Sequence, residues 1–419
     1  MALCLLVFPL LSSCGTNTTP ASNQQPGIST TRPVKTFAAG PYNCKESMHV
    51  AVSSGVIPRS LYFGDYRGNL YAVNAQTGSL RWCVHLNDPV PQITPVPCPF
   101  AHCPSIPPIL IVGTPAVVDG VVYVCVSTNV TGFTYAFNAS DGSLRWHTES
   151  SCGMNSMAFY DTAVPLVDKG VVYSGIAALR AQDGQVLWKE SRASIVQEGA
   201  FMPLAEADGV LYVNTQGAAY ALNATDGSVR WRYPTHASIT VGGPLAVSFS
   251  NQTLIIGSVG SVDQPETSAA YAVNIENGSL RWYHLMGDYK GATFLNNVAY
   301  VSSGDGYLYA INAINGHELW RTKLGYSPYP PITAQGIVYT NPDGAYAVDS
   351  ANGKILWHQP LGYDQSFSFG PPVVVDGTDF LSSIGGHSGI STIYALNAST
   401  GAEYWYGTGA NQISPPAVG

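Results

Sequence analysis

Cysteine is the residue type in this chain with the most chemistry open to it. Eight cysteines occur in 419 residues, and after Cys4 and Cys14 the other six are Cys44, Cys83, Cys98, Cys103, Cys125 and Cys152. An even set of six reads as up to three disulfides formed in an oxidising compartment, with all fifteen pairings left open by the sequence. Zinc is the competing use. It is disfavoured because no C-x-x-C pair occurs and the histidines do not cluster near these thiols. His147, His236 and His387 stand alone and read as surface residues. Asp161, Asp263 and Asp364 fall in loops that could present an acid to a ligand. No D-x-[DN]-x-[DN]-G calcium loop surrounds them, so they read as solvated acids. G-x-S-x-G, H-E-x-x-H and G-x-x-x-x-G-K-[ST] are all missing from the sequence. No metal site and no catalytic residue is therefore assigned. The sequons at Asn138, Asn223, Asn277 and Asn397 coincide with turns of an internal repeat and read as turn residues.

Cys14 has a separate use. Ala2–Leu11 is an apolar run too short to cross a bilayer as a helix. Leu11, Ser12, Ser13 and Cys14 follow it and resemble a bacterial lipobox. The resemblance implies a signal peptide over residues 1–13, cleavage before Cys14, and diacylation of its thiol as a durable membrane anchor. No Lys or Arg precedes the apolar run, which departs from the usual pattern. Residues 14–36 carry the anchor and a polar Thr/Ser/Asn/Gln/Pro tether. The expected location is extracytoplasmic, lipid-anchored to the cell membrane or outer membrane.

The elements that position these residues come from a repeat over residues 37–419. Eight glycines (Gly78, Gly142, Gly184, Gly227, Gly278, Gly316, Gly353 and Gly401) each have an alanine six residues before and a tryptophan four residues after. The tryptophans are Trp82, Trp146, Trp188, Trp231, Trp282, Trp320, Trp357 and Trp405, every one the chain contains. A tyrosine stands seven before each glycine except at Ala177, and Asn or Asp stands four before each except at Arg180. Each unit reads as strand, turn, strand, with the Asx side chain bonding the turn and the glycine supplying a positive φ. A second hairpin precedes most copies, as in Pro115–Ser127 with its Asp119-Gly120 turn. Two hairpins make a four-stranded antiparallel blade, and eight blades in radial order make an all-β, eight-bladed β-propeller. The tryptophans are expected between blades as structural residues, and the alanines where blades converge. Arg81, Arg145, Arg230 and Arg281 precede a tryptophan and should protect the outer sheet edge. Pro416-Ala417-Val418 matches the opening of a first hairpin and is expected to complete blade 1, with Met48–Val52 as the alternative.

Composition limits the partners. Net charge is −8, with 18 Lys and Arg scattered along the chain. Nucleic-acid binding is not expected, since it needs clustered cations.

The pattern G-D-x-x-G-x-L-Y-A-x-[ND]-A-x-[TDN]-G-x-x-x-W resembles the pyrroloquinoline quinone (PQQ)-type propeller repeat. Gly64-Asp65…Trp82 and Gly304-Asp305…Trp320 are its best copies. Families with this repeat include quinoprotein dehydrogenases, sensor domains and the BamB-like lipoproteins of outer-membrane β-barrel assembly. A propeller behind a lipidated cysteine is architecturally most similar to the last. In the dehydrogenases the family implies a central quinone, calcium, acidic ligands and often a disulfide between adjacent cysteines. This chain has no adjacent cysteines, and its tryptophans are committed to the repeat. No cofactor is therefore expected, with PQQ and calcium as the alternative.

Function is expected in the variable connections on one face. Asn87–Thr114 contains His102, and His147–Thr162 contains Cys152, Met154, Met157, Phe159 and Tyr160. Val259–Ser268 and Ser383–Thr392 are smaller insertions. Insertions on one face of a repeat fold mark its binding face. The expectation is a non-catalytic, membrane-tethered, monomeric scaffold. It would present His102, Met154, Met157, Phe159 and Tyr160 to a protein, peptide or envelope polymer. The alternatives are a PQQ-dependent dehydrogenase of alcohols or sugars and an extracytoplasmic ligand-sensing propeller.

Overall fold

The computed structural model describes residues 48–419 except 50–58, 66, 87–110, 128–131, 151, 153–163, 176, 191–201, 216, 235–245, 259–267, 326–328, 362–367, 385–390 and 410–412. The described residues form eight antiparallel sheets in sequence order, the blades of an eight-bladed β-propeller. Blade 4 shows the pattern, with strands Met202–Ala207, Val210–Asn214, Ala218–Asn223 and Val229–Pro234 paired in order. The four strands are called first to fourth, from the ring's centre outward.

The ring closes through its C-terminal residues. Ala417–Val418 is the first strand of blade 1, paired with Leu61 and Tyr62 of the second strand, Ser60–Gly64. Ser60 and Gly419 exchange two backbone hydrogen bonds, of 2.9 and 3.0 Å. The alternative strand is corrected: Met48–His49 lies beyond the fourth strand, Leu80–His85, with Met48 opposite Cys83 and His49 opposite Trp82. There it covers a sheet edge that would otherwise expose unpaired backbone groups.

The first hairpin of most blades turns through a non-glycine residue with φ near +50°, such as Asp119 (49°), followed by a glycine such as Gly120 (73°). Two successive positive φ values define the turn whose twist suits a two-residue hairpin. The second hairpin turns through the repeat's Asx, as where Asn74 Oδ1 accepts from Gln76 N (2.8 Å) and Thr77 N (3.1 Å).

Each repeat alanine lies opposite the tryptophan of the adjacent strand, as with Ala72 and Trp82 or Ala310 and Trp320. The register shifts immediately after it in all eight blades. The expectation that alanine marks the converging centre is therefore refined. It sits on the third strand, facing the next blade, where a small side chain leaves room for the indole.

All eight tryptophans do one job. Each indole N–H donates to a backbone carbonyl in the second hairpin turn of the following blade. Trp82 bonds Ala139 (3.0 Å), Trp146 Ala181 (2.9 Å), Trp188 Ala224 (2.8 Å) and Trp231 Ile275 (2.8 Å). Trp282 bonds Ala313 (3.0 Å), Trp320 Ser350 (3.2 Å), Trp357 Ala398 (3.0 Å) and Trp405 Ala75 (3.0 Å), the last from blade 8 to blade 1. In blades 2 to 8 the N–H of each acceptor residue bonds the first turn of its own blade, as Ala139 N does Gly120 O (2.9 Å), and in blade 1 Ala75 N bonds Arg59 O (3.0 Å) at the start of the second strand. In those seven blades one residue thus ties its own two turns together and holds the preceding blade. Trp188, Trp320 and Trp357 are only partly buried, while the other five are buried.

The repeat glycine meets the same indole. A Cβ on Gly184 would lie 2.5 Å from Trp146 Cε3, and one on Gly78 would lie 2.9 Å from Trp405 Cε3. Positive φ was the sequence's reason for glycine; the close approach of the preceding blade's tryptophan is a second. The edge arginines reach inward as well as outward: Arg81 donates to Ser60 Oγ (2.8 Å), and Arg281 to Asn251 O (2.8 Å) and Thr253 Oγ1 (3.0 Å).

Candidate functional site: the face opposite the hairpin turns

In blades 2 to 8 both hairpin turns leave on one side, zipped to each other and to the neighbouring tryptophan; in blade 1, whose first strand is the C-terminal one, the second turn is tied to Arg59 instead. Connections between second and third strands, and between blades, leave on the other side. This second face carries the connections that differ most in length from blade to blade.

At blades 2 and 3 it is stiffened covalently. Cys125, on the second strand of blade 2, is bonded to Cys152, with Cα atoms 6.0 Å apart and a sequence separation of 27. Both are buried. Cys152 lies just past the fourth strand of blade 2, Leu144–Glu149, at the root of the expected insertion. Two glycines seat it. A Cβ on Gly132 would collide with the Cys152 carbonyl oxygen, and one on Gly175 of blade 3 would lie 2.7 Å from Cys152 Cα. Cys83 is also disulfide-bonded. Its partner lies outside the described residues, as do Cys14, Cys44, Cys98 and Cys103.

Three carboxylates organise the short turns on this face. In blade 1, Asp65 accepts from the backbone N–H groups of Arg67 and Asn69 (both 2.9 Å), from Asn69 Nδ2 (2.8 Å) and from the Tyr71 hydroxyl (3.0 Å). Asn69 Oδ1 in turn lies 2.7 Å from His85 Nδ1. In blade 6, Asp305 accepts from the Tyr309 hydroxyl (2.7 Å), Tyr307 N (3.1 Å) and Gly287 N (3.3 Å). Burial pushes the Asp305 carboxyl pKa up, but these donors outweigh it and hold the pKa below the ordinary carboxylate value. In blade 7, Asp343 accepts from the Tyr346 hydroxyl (2.8 Å), and His358 Nε2 lies 3.5 Å from its carboxylate. The His358 ring stacks on Tyr346, with centroids 3.9 Å apart. Burial lowers the His358 pKa against the pull of Asp343, so the ring is neutral at pH 7.

The tyrosines belong to the repeat, at the position seven before the glycine. Sequence reasoning recorded them as part of the repeat and assigned their hydroxyls no role. The signal was an aspartate shortly before the repeat tyrosine, as Asp65 before Tyr71, Asp305 before Tyr309 and Asp343 before Tyr346, which sets the two at opposite ends of one short turn. Burial and the adjacent carboxylates raise the pKa values of Tyr309 and Tyr346, which makes them firm donors and poor nucleophiles. Among the described residues, no three His, Cys, Asp or Glu side chains converge as a metal-binding group.

Other expected positions are less visible. His102, Met154, Met157, Phe159 and Tyr160 lie outside the described residues, as do Asp161, Asp263, Asp364, His236 and His387. His147 is exposed and stacks on Tyr135, with centroids 5.2 Å apart, so it is engaged with a repeat tyrosine.

Fold and repeat together define a PQQ-like β-propeller. More particularly, the chain belongs to the family described as outer membrane protein assembly factor BamB, whose model matches residues 45–198 and 304–418. It is 29% identical over 234 residues to tetrathionate hydrolase of Acidithiobacillus ferrooxidans, covering 54% of this chain and 40% of that protein. It is 26% identical over 220 residues to BamB of Yersinia pestis, covering 46% of this chain and 53% of that protein. The chain therefore spans about half or less of the length of these curated relatives. The crystal structure of BamB from Moraxella catarrhalis superposes with a TM-score of 0.56 at 15% identity, covering 84% of this chain and 96% of that one, a likeness of fold.

Proposed function

We infer that this protein is a non-catalytic scaffold of the cell envelope, tethered through Cys14, that binds a protein partner with the face opposite its hairpin turns. One observation carries the reading. The repeated tryptophans, glycines, alanines and Asx residues are spent on joining blades or closing turns, and the residues that vary lie on one face. The family match supports a partner of the outer-membrane β-barrel assembly kind. The Cys125–Cys152 disulfide ties the end of blade 2 to its second strand on that face, and such cross-links lower the entropy cost of binding.

The test is affinity capture from detergent-solubilised envelopes with the mature, lipidated protein. Recovery of a β-barrel assembly component at near-stoichiometric yield is expected. Capture of none, from envelopes that contain such components, overturns the reading.

The similarity to tetrathionate hydrolase favours a second, enzymatic reading. Turnover of tetrathionate by the purified protein would establish it. PQQ and calcium with an alcohol or sugar test the dehydrogenase alternative in the same experiment, read by dye reduction.

A further inference from the structure

The second strand of each blade carries, immediately before the residue that packs on the tryptophan, one position that is fully enclosed. In seven blades it is apolar: Leu61, Val122, Val172, Leu211, Leu254, Ala299 and Val338, each 0 or 1% exposed. Their cross-strand partners are equivalent, from Leu61 opposite Val73 to Val338 opposite Val348. In blade 8 the same position is Asp379, opposite Val374 on one side and Leu396 on the other, and 1% exposed. Its Oδ1 has no hydrogen-bond partner.

The location is the seam between blades 7 and 8. Val374 packs in the cluster of Tyr339, Ala347 and Trp357 of blade 7, so the face it shares with Asp379 is turned toward that blade. Among the described residues, the titratable groups around Asp379 are few. From blade 7 there is Tyr339, whose hydroxyl donates to Ala398 O (3.0 Å) and whose pKa is raised by burial and by the nearby Asp379 charge. From blade 8 there are Glu403, opposite Leu396 in the same cross-strand row, and Tyr394 and Tyr406 farther along that face. Glu403 is half-buried, and burial raises its pKa. No lysine, arginine or histidine appears in this set. A second polar side chain weakens the same seam: Asn341 of blade 7 is fully buried, donates through Nδ2 to Gly370 O of blade 8, and leaves its Oδ1 without a partner.

An apolar site with no cation favours the neutral carboxylic acid. We propose that Asp379 makes the seam between blades 7 and 8 a pH-sensitive latch, closed while this carboxyl is protonated and loosened when it ionises. The chemistry is one proton: the acid gives it to water, and the carboxylate left behind must be solvated. Water reaches it only if the two blades separate. The seam adjoins the ring closure, since blade 8 abuts blade 1, which the C-terminal strand completes. A chain in the cell envelope meets the pH of its surroundings, so such a latch would tie ring rigidity to external acidity.

Burial pushes the Asp379 pKa from 3.8 up to about 7. The sign follows from proton binding. Between those values the closed state holds a proton that the open state releases, so stability falls as pH rises. Each pH unit in that window multiplies the opening equilibrium about tenfold, about a thousandfold across it, and the curve is flat above it.

The test is hydrogen exchange of the intact protein at matched intrinsic exchange rates, from pH 4.5 to 8, for wild type, Asp379→Leu and Asp379→Asn. Exchange in segments 337–349 and 373–384 of the wild type is expected to accelerate steeply up to pH 7 relative to the equivalent segments of blade 4. Both variants should lose that excess, and Asp379→Leu should also raise the melting temperature at pH 7.5 above that of wild type. Wild-type exchange in these segments that tracks blade 4 at every pH overturns the proposal. So does an excess that persists in Asp379→Asn.

Discussion

Replacing glycine by alanine at two positions separates the two reasons this repeat needs glycine. Gly120 and Gly184 both have φ near +73°, at 73° and 74°. A Cβ on Gly120 would meet nothing within 4 Å, whereas one on Gly184 would lie 2.5 Å from Trp146 Cε3 and 2.7 Å from Thr148 Oγ1. The left-handed conformation alone costs an alanine about 1–2 kcal/mol, which is the full expected loss for Gly120→Ala. Gly184→Ala bears the same strain plus an overpacked interface, about 1–3 kcal/mol more. Relief would require the indole to move, and that would stretch its 2.9 Å hydrogen bond to Ala181. The expected losses are therefore about 1–2 and about 2–5 kcal/mol. Guanidinium unfolding followed by far-ultraviolet circular dichroism measures both, with tryptophan fluorescence reporting the displaced indole. Equal losses in the two variants, with an unchanged emission maximum, would refute the claim that these glycines are selected by the neighbouring blade.

Trp146→Phe removes the donor to Ala181 and some apolar area, and should cost about 2–4 kcal/mol in the same unfolding assay. Cys125→Ser opens a link that spans 27 residues and should cost about 3–4 kcal/mol by loop entropy, with protease cleavage between blades 2 and 3 as a second measurement. Tyr309→Phe takes one donor from Asp305, so the carboxyl pKa should rise toward its ordinary value, as seen by carbon-detected NMR titration. His358 should titrate below 6.5, because burial opposes its charge. Its sign is that of a base with a lowered pKa. The stability contribution is complete above 6.5 and declines as pH falls toward the folded value, because the unfolded chain binds the proton first. Histidine proton resonances followed from pH 4 to 8 check it.

Fold was legible because the repeat is a mechanical requirement stated eight times. The tryptophan needs a carbonyl acceptor and a glycine to rest against, and both are one blade ahead in the chain. That is why the glycine and tryptophan of one copy look paired in sequence although each meets its partner in a neighbouring copy. Two placements escaped sequence reasoning for the same reason. Met48 resembles an inner strand locally, but only pairing with Cys83 fixes it at the outer edge. Asp379 sits in Thr378–Ile384 like any acid near a turn, and its burial appears only when the other seven blades are superposed on it. The candidate face was legible as a location, through the lengths of the connections that leave opposite the hairpin turns. Its partner was not, because recognition residues need no period.

The central claim is that one face binds and the other does not. It is tested most directly by incorporating a photo-crosslinking amino acid at Arg67 or Tyr307 on the proposed face, and at Asp141 or Asp208 in the hairpin turns of the opposite face. Irradiation of intact cells should give a discrete crosslinked envelope protein from the first pair and none from the second. Adducts of equal yield from both pairs, or from the turn positions alone, would contradict the account.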